Sequence, residues 1–191
     1  TVSADSQPAC NALPQQKWLT FNSGCGTTFL RKRLIKKLVV QTMTPLIIVN
    51  FKTYKEATGE NAVKLARQCE AAAKKAKGKA KVAVAVQATD IFRVAAAVDA
   101  GLISVFAQHI DANGQGKSTG FVTAEAVREA GASGTLINHA EHKITDIAKR
   151  IATAKMAKLV TLACAANVAE AKAIASLTPA PDYIAVEPQE L

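Results

Sequence analysis

The chain has 191 residues, of which 49% are hydrophobic and only 5% aromatic, so we expect one domain with a core of aliphatic side chains. No apolar run approaches the ~20 residues of a membrane-spanning helix, and no secretory signal pattern precedes the first basic cluster, so we expect neither feature. The four cysteines have no metal-type spacing and indicate free thiols in a reducing compartment, which predicts a cytoplasmic protein. They are Cys10, Cys25, Cys69 and Cys164.

The formal net charge of +9 is unevenly distributed along the chain. Residues 1–42 hold six Lys or Arg and one Asp, a net charge of +5, which leaves +4 for the other 149 residues. The basic cluster at 31–37 is a pattern that can contact nucleic acid or an anionic membrane. A nucleic-acid-binding chain that uses residues 17–37 is therefore one hypothesis, although our preferred interpretation includes neither nucleic acid nor membrane as a partner.

Residues 1–42 differ in pattern from the rest of the chain. They show no clean period of 2 or 3.6 residues, and they mix prolines and glycines with polar residues. An apolar strand pattern begins directly after Met43, one of only two methionines. We predict that residues 1–42 are a disordered extension or upstream read-through, and that residues 43–191 form the folded domain.

From Met43 onward, strand patterns alternate with helical patterns. Strands are predicted at 46–51, 81–87, 103–108, 134–137, 158–164 and 183–186. Helices are predicted at 60–77, 90–97, 124–130, 144–157 and 168–177, with a Gly/Asn/Ser-rich loop at about 111–120. This alternation predicts an α/β fold with parallel strands and right-handed crossovers, and the apolar strands suit a sheet covered on its outer face.

Polar residues recur where the predicted strands end. These residues are Asn50, Lys52, Gln87, Gln108, His109, Asn138, His139 and Glu187. Because the carboxyl ends of parallel strands meet at one edge, where α/β folds bind ligands, we expect Lys52, His139 and Glu187 around one mouth. A carboxylate there could take a proton next to a carbonyl while two donors stabilise the enediolate oxygen. The alternative interpretation is a structural Lys–Glu ion pair beside an unrelated histidine.

Two weaker patterns point to other kinds of site. The segment 111–118 approaches the phosphate-binding sequence G-x-x-x-x-G-K-S, but Asp111 replaces its first glycine. His139 and His142 lie three residues apart without a third partner of metal-ligand type. We therefore predict neither a nucleotide-binding loop nor a metal site.

Five segments of the chain resemble the triosephosphate isomerase family, specifically its archaeal branch. They are I-V-N-F-K-T-Y at 48–54, V-A-V-Q-A-T-D at 84–90, F-A-Q-H-I-D at 106–111, T-L-I-N-H-A-E-H-K at 135–143 and P-D-Y-I-A-V-E-P-Q-E-L at 181–191. They occur in the family's order and at compatible spacings, over about three quarters of the chain. The resemblance implies an α/β fold of the (β/α)8 TIM-barrel type, with only about six βα units present, and an isomerase of glycolysis and gluconeogenesis.

The resemblance implies three catalytic residues. Glu187 is expected to be the base that moves a proton between two carbons of a triose phosphate, and His139 the neutral electrophile that polarises the carbonyl. The imidazole is expected to stay neutral because it faces a helix N-terminus. Lys52 is expected to be the cation beside the substrate oxygen and phosphate.

Further implications concern binding and assembly. Asn50, Phe51 and Lys52 are the expected substrate-binding residues, and Glu141 is expected to hold Lys52 in place through an ion pair. No metal or organic cofactor is implied, since the reaction moves only protons. The family is expected to form a homo-oligomer, either a tetramer or a dimer.

Two departures from the family bear on activity. Ala140 stands where the family usually has Ser after the catalytic histidine, so a hydroxyl that orients this loop is missing. The family continues beyond the position of Leu191 with two more strands that hold the phosphate. We therefore expect a C-terminally truncated enzyme with two open sheet edges and little or no activity. The alternatives are an inactive barrel fragment and a non-catalytic (β/α) module that binds small phosphates.

Overall fold

The computed structural model of the chain describes residues 44–187. The predicted extension at 1–42 lies outside this part of the chain and stays a prediction. The description below concerns residues 44–187 alone.

Six strands and five helices alternate along the described residues. The strands are β1 (Leu46–Asn50), β2 (Lys81–Val86), β3 (Ile103–Ala107), β4 (Gly134–Ile137), β5 (Val160–Ala165) and β6 (Tyr183–Val186). The helices are α1 (Glu60–Ala76), α2 (Ile91–Ala97), α3 (Ala124–Glu129), α4 (Ile147–Met156) and α5 (Val168–Ala175). Each predicted element is therefore present, with ends that differ by a few residues.

The strands form one sheet in the order β1-β2-β3-β4-β5-β6, and every neighbouring pair is parallel. A helix or helical turn crosses over between consecutive strands, as parallel pairing requires. The prediction of a parallel sheet, in the form of a partial (β/α) barrel, is confirmed.

The largest difference from prediction is the start of α4. We expected this helix from residue 144, but it begins at Ile147. The backbone N–H of Ile144 donates a hydrogen bond of 3.2 Å to the side-chain oxygen of Asn138, so this residue belongs to the loop after β4. A tertiary hydrogen bond has replaced the first helical turn.

The helices cover one face of the sheet. On β2, Val82, Val84 and Val86 point to this face and pack in one cluster with Ala62 and Ala66 of α1. The small alanines let the helix backbone approach the strand closely, which explains a core with few aromatic residues. A second cluster joins β4 and β5 to α4 and α5 through Ile137, Ile151, Ala163, Ala165 and Ile174.

The opposite face of the sheet is the interior of the partial barrel. Ala83 and Ala85 alternate with the valines of β2, and Phe106 of β3 packs against them with Leu136 of β4. Gly134 lies so close to the Phe106 ring that a Cβ atom there would come within 2.5 Å of it. Because glycine has no Cβ atom, the Phe106 ring can occupy this space. Burying the ring contributes about 1.5–3 kcal/mol to the stability of the fold.

Within residues 44–187, β1 pairs only with β2, and β6 pairs only with β5. Ile47 and Val49 of β1 are 52% and 36% exposed, as expected for a strand without a helix over its outer side. This arrangement matches the predicted partial barrel. Among the described residues, the helices are too short or too polar to cross a bilayer.

Candidate active site

The carboxyl ends of β1, β3 and β4 surround a cavity of about 210 Å³. It is lined by Asn50, Lys52, Thr53, Gln108, His109, Leu136, His139, Glu141 and His142. The chain has three histidines, and all of them line this cavity. Four larger hollows, of about 750, 510, 340 and 280 Å³, have no histidine among their lining residues. The chemistry therefore points to the smaller cavity.

Lys52 supplies the cation of the site. Its Nζ lies 3.0 Å from Oε1 of Glu141, although the two residues are 89 positions apart in the sequence. The hydrogen bond to Glu141, together with the charge of that carboxylate, raises the pKa of Lys52, so the ammonium stays protonated. The ion pair that the family resemblance implies is thus present in the structure.

His139 lies in the loop that follows β4, and its side chain is 13% exposed. The backbone N–H of Glu141 lies 3.2 Å from Nδ1, so this nitrogen accepts a hydrogen bond and the proton of a neutral ring sits on Nε2. The Nδ2 group of Asn50 lies 3.4 Å from Nε2. Two donors face each other there, so we interpret this approach as a packing contact.

The surroundings of His139 differ in one respect from expectation. We expected the imidazole to face a helix N-terminus, but α4 begins only at Ile147. A turn takes the place of the helix, with the backbone N–H of His142 donating 2.8 Å to the carbonyl of His139. One backbone N–H of this turn, that of Glu141, donates a hydrogen bond to the imidazole.

Glu187 supplies the carboxylate, directly after β6. Its Oε2 lies 3.6 Å from Nε2 of His139, and its side chain is 44% exposed. Its backbone N–H donates 2.8 Å to the carbonyl of Ala165 on β5, which anchors the end of the strand. A carboxylate and an imidazole N–H thus face the same space, with the Lys52 ammonium nearby.

Phe51 and Glu187 are the two predicted site residues that do not line this cavity, and of the two only Phe51 lies in the core. Its side chain is only 2% exposed and belongs to the core cluster with the valines of β2 and the alanines of α1. Side chains alternate across a strand, so Asn50 and Lys52 face the cavity and Phe51 faces the helices. Phe51 contributes packing and a backbone hydrogen bond of 2.9 Å to Ala85, and it does not line the cavity.

Asn138 is the fully buried residue directly before His139. Its Nδ2 group donates hydrogen bonds of 3.0 Å to the carbonyl of Cys164 and of 2.9 Å to Oε1 of Glu170. Its Oδ1 accepts a hydrogen bond from the backbone N–H of Ile144. Its backbone φ of 61° is left-handed, a conformation that asparagine tolerates better than most residues. These contacts hold the loop that carries His139.

Glu170 is a supporting residue that we did not identify from the sequence. Its Oε1 accepts a hydrogen bond of 3.0 Å from Nζ of Lys143, and its Oε2 accepts one of 2.6 Å from the backbone N–H of Ala166. Hydrogen bonds hold the pKa of Glu170 below its usual value, with the larger effect from the Ala166 N–H and the next from the Lys143 ammonium. The pattern Asn167-x-x-Glu170 opens α5 with Asn167 as its N-cap, so a capping-box search could have found this carboxylate.

Cys164 is the only thiol close to the site among the described residues. Burial raises its pKa to about 12, with a further contribution from the charge of Glu187. The thiol is therefore uncharged at neutral pH and is a packing group, not a nucleophile.

His109 belongs to a second charged cluster at the rim of the cavity. Its ring stacks on that of His142, with centroids 4.1 Å apart and planes inclined by 16°. Nη1 of Arg150 lies 2.8 Å from Nε2 of His109, and Oδ1 of Asp111 lies 3.1 Å from it. Burial lowers the pKa of His109, as do His142 and Arg150, while Asp111 acts in the opposite direction.

This lowered pKa predicts that the fold loses stability in mild acid. An unfolded histidine titrates near ~6.5, so below that pH the unfolded chain binds a proton that folded His109 resists, and unfolding is favoured. We expect the free energy of unfolding to fall between about pH 7 and pH 5.5, and the fall to be smaller in His109→Gln. Urea unfolding of both proteins across this range measures it. Equal pH slopes for the two proteins would contradict the prediction.

The sequence and the fold of this chain are similar to those of known proteins. The triosephosphate isomerase family model matches residues 45–191. The triosephosphate isomerase of Methanococcoides burtonii is 46% identical over 151 residues, which cover 78% of this chain and 65% of that protein. The triosephosphate isomerase of Methanothermobacter thermautotrophicus is 45% identical over 150 residues, which cover 78% of this chain and 62% of that protein.

A solved structure gives the same result for the fold. The crystal structure of triosephosphate isomerase from Bartonella henselae is similar with a TM-score of 0.59 and 25% sequence identity, covering 76% of this chain and 68% of that one. The chain thus spans a little under two thirds of the length of the two archaeal relatives. On these matches, the chain belongs to the triosephosphate isomerase family, in its archaeal branch.

Proposed function

We propose that the chain carries the site of a triose-phosphate isomerase, which interconverts dihydroxyacetone phosphate and D-glyceraldehyde 3-phosphate. The observation that carries this proposal is the approach of Glu187 Oε2 to within 3.6 Å of His139 Nε2, beside the Lys52 ammonium. A base and two donors are the groups that enolisation next to a carbonyl requires. Family membership adds the identity of the substrate.

In the proposed reaction, Glu187 removes a proton from the carbon next to the carbonyl of the substrate. The Nε2–H of His139 and the Lys52 ammonium donate to the oxygen on which negative charge develops, and so stabilise the enediolate. Glu187 then returns the proton to the neighbouring carbon, which completes the exchange of carbonyl and hydroxyl groups. Asn50 lies beside Lys52 and is proposed to orient the substrate.

Glu141 supports this proposal through its two contacts. Its carboxylate holds the Lys52 ammonium at 3.0 Å, and its backbone N–H holds Nδ1 of His139. The second contact makes Nδ1 an acceptor, so the tautomer with the proton on Nε2 is the one that can donate to a carbonyl oxygen. One residue thus fixes the position of the cation and the tautomer of the imidazole.

Other properties come to the proposal from the family alone. We infer a role in glycolysis and gluconeogenesis, a location in the cytoplasm, and assembly as a homo-oligomer. Size-exclusion chromatography with light scattering would test the last of these. A strictly monomeric chain would contradict the inferred homo-oligomer without affecting the proposed reaction.

The test is a coupled isomerase assay of the 191-residue chain, purified from a host that lacks its own isomerase. Turnover of D-glyceraldehyde 3-phosphate above background, absent from Glu187→Gln made in the same host, would support the proposal. A folded chain without turnover would overturn it. If such a chain bound 2-phosphoglycolate in calorimetry, a non-catalytic module for small phosphates would replace the enzyme as the function.

A further inference from the structure

Gln108 links the end of β3 to the turn that follows β1, across the intervening strand β2. Its Nε2 group lies 2.9 Å from the carbonyl oxygen of Lys52, 3.2 Å from Oδ1 of Asn50 and 3.2 Å from the carbonyl oxygen of Ala85. Its own backbone N–H donates 3.2 Å to Val86 on β2. A single side-chain amide therefore donates hydrogen bonds to three acceptors, on β2 and on β1 with the turn that follows it.

The first consequence concerns the orientation of Asn50. Its Oδ1 faces two donors, the amide of Gln108 and the backbone N–H of Lys52 at 3.0 Å. The oxygen must therefore lie on that side, and the Nδ2 group must point toward His139, 3.4 Å away. Without Gln108, the Asn50 amide would lose one of the two donors that hold its oxygen in place.

The second consequence concerns the backbone of Lys52. This residue has a φ of 49°, a left-handed conformation that is unfavourable for a residue with a long side chain. Such a conformation persists only where surrounding contacts hold it. The hydrogen bond from Gln108 to the Lys52 carbonyl is one such contact, and it directs the side chain toward Glu141.

We propose that Gln108 is a positioning residue of the isomerase site, which holds the Asn50 amide and the left-handed turn of Lys52 in the arrangement that catalysis needs. This proposal rests on the proposed function, since it assigns Gln108 a role in the same reaction. Gln108 acts through Asn50 and Lys52.

The test replaces the donor with an acceptor of the same shape, Gln108→Glu. An ionised carboxylate would face three oxygen atoms and repel them, so the turn at Lys52 would rearrange. We expect the amide hydrogen of Lys52 to exchange with solvent at least ~10-fold faster, because its hydrogen bond to Asn50 is lost. We expect kcat to fall ~10–10²-fold with a smaller change in KM, as displacement of a catalytic group by about 1 Å can cost ~10²-fold.

The loss should depend on pH in a way that a purely structural defect would not. Below the pKa of the new side chain, its protonated form can donate one hydrogen bond. The protection of the Lys52 amide, measured as its exchange rate relative to that of an unprotected amide at the same pH, should therefore rise again toward about pH 4.5. Gln108→Met, which has similar length and no donor, should show the reduced protection at every pH. Gln108→Met also tests the proposal by itself if Gln108→Glu fails to fold.

Gln87→Glu is the matched control. Gln87 occupies the same position at the end of β2, but its Nε2 donates its hydrogen bond of 3.0 Å to Thr58. We expect Lys52 exchange in this control to equal that of the unaltered chain. If Gln108→Glu and Gln108→Met also leave Lys52 exchange unchanged, the proposal is overturned, whether or not the chain turns over substrate. Absence of turnover in the unaltered chain would count against the proposed function alone, because the exchange measurement does not depend on activity.

Discussion

Replacing Glu187 by Gln is expected to lower the isomerase turnover of the chain by ~10²–10⁴-fold, the usual contribution of a general base. The substitution keeps the shape of the side chain and removes its ability to accept a proton. KM should change little, because the groups proposed to orient the substrate, Asn50 and Lys52, are unchanged. A coupled assay with both proteins at matched concentration measures the effect.

The stability of the Glu187→Gln variant should be close to that of the unaltered chain. The carboxylate is 44% exposed and lies 3.6 Å from an imidazole, so its contribution to folding is small. Glu129→Gln, on the exposed surface of α3, is the matched control for the loss of one negative charge. Turnover within about twofold of the control would contradict the assignment of Glu187 as the base.

Replacing Asn138 by Ala is expected to be the most destabilising of the substitutions considered. It removes the partner of Cys164, Glu170 and Ile144, and it places a side chain with Cβ but no amide at a φ of 61°. The left-handed conformation costs ~1–2 kcal/mol and the unpaired buried groups ~1–3 kcal/mol. We therefore expect the free energy of unfolding to fall by ~2–5 kcal/mol.

Asn138→Gly separates the two contributions to this loss. Glycine accepts the left-handed backbone but lacks the same hydrogen bonds, so its loss should be smaller than that of alanine by ~1–2 kcal/mol. Urea unfolding of the three proteins measures both differences. Equal losses for Ala and Gly would show that the backbone conformation carries no cost, and a loss below about 0.5 kcal/mol in both would contradict the proposed network.

Much of the fold was predictable because its signals are local. Apolar segments of four to six residues, separated by helical patterns, correspond to the six strands in the order in which they lie in the sheet. Parallel pairing followed from this alternation, and it brought Lys52, His139 and Glu187 to one edge. The period of two along the predicted strand 46–51 would also have placed Phe51 on the opposite face from Asn50, which agrees with its burial in the core cluster.

The start of α4 and the surroundings of His139 were not predictable in the same way. The Ile144 N–H bonds to Asn138, and a turn occupies the place where we expected a helix N-terminus. Helical periodicity in the sequence extends into this loop, but the tertiary hydrogen bond competes with the first helical turn and prevails. Local propensity is a weak guide where a buried polar side chain offers the backbone an alternative partner.

The amino-acid sequence alone was enough to predict the type of fold, the family, the residue types that meet at the ends of the strands and, through the family, the ion pair of Lys52 with Glu141. The hydrogen bond of Gln108 to Asn50, across 58 positions, became visible only in the folded structure. The physical reason is that strand and helix patterns arise from neighbours along the chain, whereas hydrogen bonds at the mouth depend on distances between separate strands. Those distances exist only once the sheet has formed.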